Sequence, residues 1–140
     1  MNGETPMRAP GEGAVAGWPL LLLRLEGAAV LALSALLYAG SGGGWLRFLL
    51  LFFVPDLSML AYLAGPAVGA AVYNAAHAYV GPLALAALSI ATGSAELGLG
   101  VGLIWTAHIG FDRMLGYGLK YASAFADTHL GRIGRGPGRG

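Results

Sequence analysis

Four apolar stretches follow one another along the chain: Trp18 to Gly40, Trp45 to Ala64, Pro66 to Thr92 and Glu96 to Lys120. Each is long enough to supply the roughly 20 helical residues that cross a hydrocarbon core of about 30 Å. The links between them are short and rich in breakers. Ser41-Gly42-Gly43-Gly44 is a flexible turn, Gly65-Pro66 separates the second stretch from the third, and Gly93-Ser94 the third from the fourth. Links this short force neighbouring helices antiparallel, so the pattern predicts an all-α, polytopic transmembrane bundle of about four helices.

The flanks read differently. Residues 1–17 are rich in Gly, Pro and Ala, carry Glu4, Arg8 and Glu12, and have no apolar period of helical length, which predicts a mobile tail. The stretch from Trp18 to Gly40 holds Arg24 and Glu26, where a signal peptide would have an uncharged run of roughly 7 to 15 residues, so it reads as a retained span. Residues 122–140 form a Gly- and Arg-rich tail. Lys120, Arg132, Arg135 and Arg139 lie at or beyond the last span, whereas the 93–95 turn has no basic residue, and Arg47 is the first after the 41–44 turn. Basic residues collect on the cytoplasmic side, so the C-terminus is expected there, in the cell membrane, and four spans return the N-terminus to the same side. Trp18, Trp45, Tyr117 and Tyr121 fall near span ends, where amphipathic rings settle at headgroup level. Gly65-x3-Gly69 and Gly98-x3-Gly102 suit close helix packing.

Composition supports lipid as the solvent, because of 140 residues 56% are hydrophobic and only 11% charged, too few polar groups to cover a soluble globule. The chain has no cysteine, which excludes disulfides and thiolate metal sites. A net charge of +1, with aromatics not interleaved among basic residues, excludes nucleic acid as a partner. Membrane lipid is the expected partner.

Ionisable residues within the spans carry the candidate chemistry, since each charge at mid-bilayer costs roughly 2.5 to 3.5 kcal/mol on insertion scales. Counted from the expected cytoplasmic end of each span, Glu26, Asp56, Asn74 and Asp112 are eight residues in, His77 eleven and His108 twelve. That places polar groups from four spans at one level, about 12 to 18 Å deep. Asn74 and His77 are i, i+3, and His108 and Asp112 are i, i+4, so each pair shares a helix face. Pro55 next to Asp56 removes a helix hydrogen bond and frees the carbonyl of Leu51, and Gly81-Pro82 does the same for Ala78 near His77.

Three functions suit this cluster. The groups can neutralise one another as polar glue, Glu26 with Arg113 and Asp56 or Asp112 with a histidine, while Arg24 snorkels. Asp56, His77, His108 and Asp112 can ligate a divalent metal, zinc, manganese or iron, with a position left for water. Or the cluster can relay protons or ions, for which four spans leave little room unless the chain forms a homo-oligomer. Asp127-Thr128-His129 reads as a turn, with capping of the bundle mouth as the alternative.

Leu23-Arg24-Leu25-Glu26-Gly27, Pro55-Asp56-Leu57-Ser58-Met59 with Tyr62, Tyr73-Asn74-x2-His77-x-Tyr79, His108 to Arg113 continuing to Gly116 to Tyr121, and Asp127 to Gly131 together resemble a family of small bacterial membrane proteins, domain of unknown function 4260. The resembling segments cover about residues 20–134 and imply a membrane protein; they bring no activity with them. A weaker likeness is to membrane-bound metal-dependent hydrolases, through Pro55-Asp56 and His108-x3-Asp112, although a His-Arg/His-Ser style ligand block is missing. It implies that Asp56, His77, His108 and Asp112 ligate the metal, that Asn74 or Glu26 orients water, and that Arg113 steadies an anionic group.

Overall fold

The computed structural model describes residues 13–134. Of the expected tails, 1–17 and 122–140, residues 1–12 and 135–140 lie outside these. Five α-helices account for most of the chain: α1 (Gly17–Gly40), α2 (Trp45–Phe52), α3 (Pro66–His77), α4 (Val80–Ala91) and α5 (Ala95–Leu115). A 3₁₀ helix, Val54–Ala64, joins α2 to α3, and two short antiparallel strands, β1 (Asp127–Thr128) and β2 (Gly131–Arg132), follow α5.

The prolines shape the second and third stretches. Pro55 lacks the N–H that would bond Leu51, and α2 stops at Phe52, passing into 11 residues of 3₁₀ helix. Pro82 would clash with the carbonyl four residues earlier, and there Ala78 turns extended (φ −99°, ψ 142°). The third stretch is therefore two helices bent by 46° rather than one straight span. The carbonyl of Ala78 does not stay free as the sequence suggested, because the Gly81 N–H donates to it at 3.3 Å. The fourth helix is also shorter than expected, ending at Leu115 and not at Lys120. Gly116 adopts φ 91°, a left-handed conformation that glycine enters at no steric cost, and the Tyr117 N–H folds back to the Asp112 carbonyl at 2.7 Å.

Helix α5 is the axis of the molecule, packed mainly against α1 and α4 and also against α2, while α3 packs on the 3₁₀ helix. Tyr38, Phe52, Ile104 and Ala107 form a buried core, extended by Phe48, Leu51 and Phe111. The α1–α5 crossing is tight at Gly27 and Gly110: a Cβ on Gly110 would lie 2.7 Å from the Gly27 carbonyl oxygen, and one on Gly27 would lie 2.6 Å from the Arg113 Cβ. Such contact gains dispersion energy between backbones, the main attraction left to helices in lipid. Two of the glycines singled out from the sequence also permit close approach: Gly69 lies under the Tyr62 ring, and Gly98 lets α5 approach Ser89 of α4.

The surface is inverted relative to a soluble globule. Leu36, Leu63, Val80 and Leu46 are at least 70% exposed, whereas His77, His108, Asp112, Arg113 and Lys120 are buried. An apolar exterior over a polar interior is what lipid requires. Two helical stretches, Gly17–Gly40 and Trp45–Ala64, are long and apolar enough to cross a membrane, and the bent α3–α4 pair makes a third if it is one span.

Candidate metal centre

Four side chains from three segments meet beside the C-terminal half of α5. His108 and Asp112 stand on one face of α5 at i, i+4; His77 is the last residue of α3; Asp56 sits in the first turn of the 3₁₀ helix. The two prolines account for the last two placements. The change to 3₁₀ geometry after Pro55 carries Asp56 toward α5, and the break at Ala78 ends α3 where the His77 ring reaches the same point.

The Nε2 atoms of His77 and His108 are 3.2 Å apart. His77 Nε2 lies 3.5 Å from Asp56 Oδ1 and 3.5 Å from Asp112 Oδ2; His108 Nε2 lies 3.4 and 3.8 Å from the same two oxygens. All four atoms fall within 4.8 Å of one another. A tetrahedron of ligands about 2.0–2.2 Å from a zinc ion has edges of about 3.3–3.6 Å, so five of the six separations bracket that value.

The tautomer of His77 follows from its other nitrogen. Nδ1 lies 2.9 Å from the Tyr73 carbonyl, which can only accept, so Nδ1 carries the proton and Nε2 presents a lone pair to the cluster. Tyr73 stacks on the same imidazole, centroids 3.7 Å apart, and donates its hydroxyl to Asp112 Oδ2 at 3.1 Å. One tyrosine thus orients both a histidine and a carboxylate, as outer partners of metal ligands do. Phe52 meets His108 edge-on at 5.2 Å. His108 Nδ1 is buried with no hydrogen-bond partner among the described residues.

The other sequence candidates stand outside this point. Arg113 donates to the carbonyls of His77 (2.8 Å) and Tyr117 (2.7 Å), holding the end of α3 against α5 together with Trp105, whose Nε1 donates to Ala76 at 2.6 Å. Asn74 makes two hydrogen bonds with the Lys120 backbone, its Oδ1 accepting from the N–H at 2.6 Å and its Nδ2 donating to the carbonyl at 2.8 Å. Glu26 is exposed on α1 and forms no ion pair with Arg113 among the described residues. Arg24 is committed as well, its Nε donating to the Met114 carbonyl at 2.9 Å. The common depth expected from residue counts also shifts. Since α5 ends at Leu115, Asp112 and His108 lie about 5 and 10 Å from its terminus.

Residues after α5 close the site, and sequence reasoning did not find them. A cavity of about 300 Å³ opens over Asp56, His108 and Asp112, walled by Phe53, Phe111 and Phe125 among others, with Lys120 on its rim. The 116–134 segment returns over the bundle through the β1–β2 hairpin, the Lys120–Thr128 bridge and a Leu119 N–H donated to His129 Nδ1 at 2.8 Å. Asp127-Thr128-His129 therefore belongs to a hairpin and not to a simple turn. Tyr73 had a usable signal, lying i, i+4 before His77. Lys120, Phe125 and Ile133 had none, since only the returning chain brings them to the cavity.

Burial holds the Lys120 ammonium at about 8, with the nearby Asp112 charge opposing the shift. A lysine whose value falls on folding binds fewer protons than the unfolded chain between about 8 and 10.5, so docking of this segment strengthens as pH rises through that window. NMR titration of the lysine side chain is expected to show a midpoint near 8, against an ordinary midpoint for an undocked segment.

The family model described as "Domain of unknown function (DUF4260)" matches residues 20–133. No curated protein and no solved structure matches the chain.

Proposed function

Because the chain belongs to the DUF4260 family and places this cluster inside a lipid-facing bundle, we propose that it is an integral membrane metalloprotein whose zinc centre activates water for hydrolysis. The single observation that carries the reading is the near-tetrahedral set of Asp56, His77, His108 and Asp112. With His77 Nε2 bare, its lone pair and two carboxylates face one buried point beside His108 Nε2, an arrangement that a cation resolves. Polar glue leaves acceptors in excess, since with both rings neutral at most one N–H, that of His108 Nε2, faces the His77 lone pair and the two carboxylates. His77 forms the back of the centre, and the other three ligands border the cavity, where water and substrate would enter. A bound zinc lowers the pKa of its water toward neutrality and polarises the attacked group.

Elemental analysis tests this. Protein purified without chelators is expected to hold close to one zinc per chain, and Asp56→Ala and His108→Ala to hold little while still folding. Acidification through the imidazole range, about pH 6.5 and below, should release the metal, because a protonated ring cannot ligate. Wild-type protein that takes up no zinc, even when zinc is supplied, would falsify the reading.

Four crossings of the cell membrane belong to the same proposal, α5 being the fourth, shielded from lipid by α1, α2 and α4. The Val15 N–H bonds the His129 carbonyl at 2.8 Å, so both described ends lie at the site end of the bundle. Arg24, Arg113, Lys120 and Arg132 gather there, which supports a cytoplasmic placement of both termini. Reporter fusions at the C-terminus should give cytoplasmic signals; a periplasmic signal would reverse the orientation.

A further inference from the structure

The cavity over the centre has two unlike parts. Its floor is the charged cluster, and its walls are Phe53, Met59, Phe111, Phe125 and Ile133. Lys120 lines it with its Nζ 3.7 Å from the Phe125 ring centroid and 4.8 Å from that of Tyr73, and forms no ion pair among the described residues. The residue is only 4% exposed. Two ring faces return about 0.5–2 kcal/mol, which does not offset the burial of an ammonium.

Charge counting completes the argument, and here it rests on the zinc reading. A divalent metal cancels Asp56 and Asp112, both histidines being neutral, so Lys120 leaves one positive charge facing a cavity with aromatic and aliphatic walls. We propose that this cavity binds the headgroup region of a singly charged, amphiphilic phosphodiester, a phospholipid, with the phosphate between Lys120 and the metal centre and the apolar part against the phenylalanine walls. The site's position near the end of α5 suits a lipid headgroup.

The test uses full-length, zinc-loaded protein in nanodiscs of neutral lipid, with dihexanoyl-phosphatidylglycerol as probe, the uncharged dihexanoylglycerol and dimethyl phosphate as controls, and zinc content measured on every sample. Wild type should bind the probe, and Lys120→Met should weaken it by about tenfold or more with zinc retained. Lys120→Arg keeps the charge and should restore most of the affinity, which separates charge recognition from damage to the fold. The diglyceride should be indifferent to both variants. Equal affinity in wild type and Lys120→Met would overturn the site, as would dimethyl phosphate binding as tightly as the lipid. Zinc-loaded protein that ignores the probe would overturn the lipid site and leave the metal centre standing. Metal-free wild type with Lys120-dependent binding would do the reverse.

Discussion

Asp112→Asn is expected to cut zinc affinity by at least about 100-fold while leaving the fold in place, because it removes a ligand charge and keeps the shape of the side chain. The asparagine can still accept from the Tyr73 hydroxyl, now 3.1 Å from Asp112 Oδ2, so the local packing persists. Tyr73→Phe removes only an outer partner, and its loss should be nearer tenfold, at the low end of what such partners contribute. That order, with the ligand far above its supporting tyrosine, distinguishes a metal centre from a hydrogen-bond network. In a network without metal, Tyr73→Phe breaks this contact and Asp112→Asn keeps it, so the larger cost should fall on the tyrosine variant. Competition with a chromophoric zinc chelator measures the two affinities; equal values for wild type and Asp112→Asn would remove Asp112 from the ligand set.

Gly110→Val should be the most damaging substitution away from the site. Even a single Cβ at this position would lie 2.7 Å from the Gly27 carbonyl oxygen and 2.8 Å from the Leu31 N, and neither backbone atom can rotate away as a side chain would. The helices must part, losing dispersion contacts along the crossing, at an expected cost of at least about 3 kcal/mol, the upper end of ordinary overpacking. Arg24 would also be drawn from the Met114 carbonyl, and the start of α1 from the chain end that it pairs with. Thermal unfolding in detergent, followed by circular dichroism, should show a large drop in midpoint. A midpoint close to wild type would mean that α1 and α5 do not cross at these glycines. Gly40→Ala is the matched control, since nothing lies within 4 Å of a Cβ there.

The residues of the candidate centre were legible because lipid penalises ionisable groups. An ionisable side chain in an apolar stretch needs a partner or a purpose, so Asp56, His77, His108 and Asp112 could be singled out from their positions alone, and the i, i+4 spacing already put the last two on one face. The same argument also selected Glu26, Asn74 and Arg113, because the penalty records only that a residue is polar. It cannot tell a group that reaches the shared point from one that caps a carbonyl, as Arg113 does, or holds a returning strand, as Asn74 does.

The order of the apolar helical stretches was also in the sequence, since stretch length and the glycine-rich links are local properties, but the number of helices was not: four stretches were expected and five α-helices and a 3₁₀ helix form. The prolines marked where two stretches would break. Where the chain went after each break was not local. Ala78 turns extended under the influence of Pro82 four residues on, and the direction of the bend depends on Arg113 and Trp105 of α5 collecting the carbonyls of His77 and Ala76. The fourth stretch could be read through to Lys120 because polarity alone does not mark a helix end; the left-handed Gly116 does.

What the sequence by itself determined was the solvent of this protein, the approximate helices and the pool of residues able to do chemistry. Each depends on side-chain type and spacing within one segment. Only the tertiary structure decided that four of those residues meet within 4.8 Å of one another, that Tyr73 orients two of them, and that Lys120 returns after α5 to border the cavity. Those facts rest on contacts between segments far apart in the chain, and no periodicity records them, because a side chain's partner across a helix crossing is set by the crossing itself and, here, by the absence of side chains at Gly27 and Gly110.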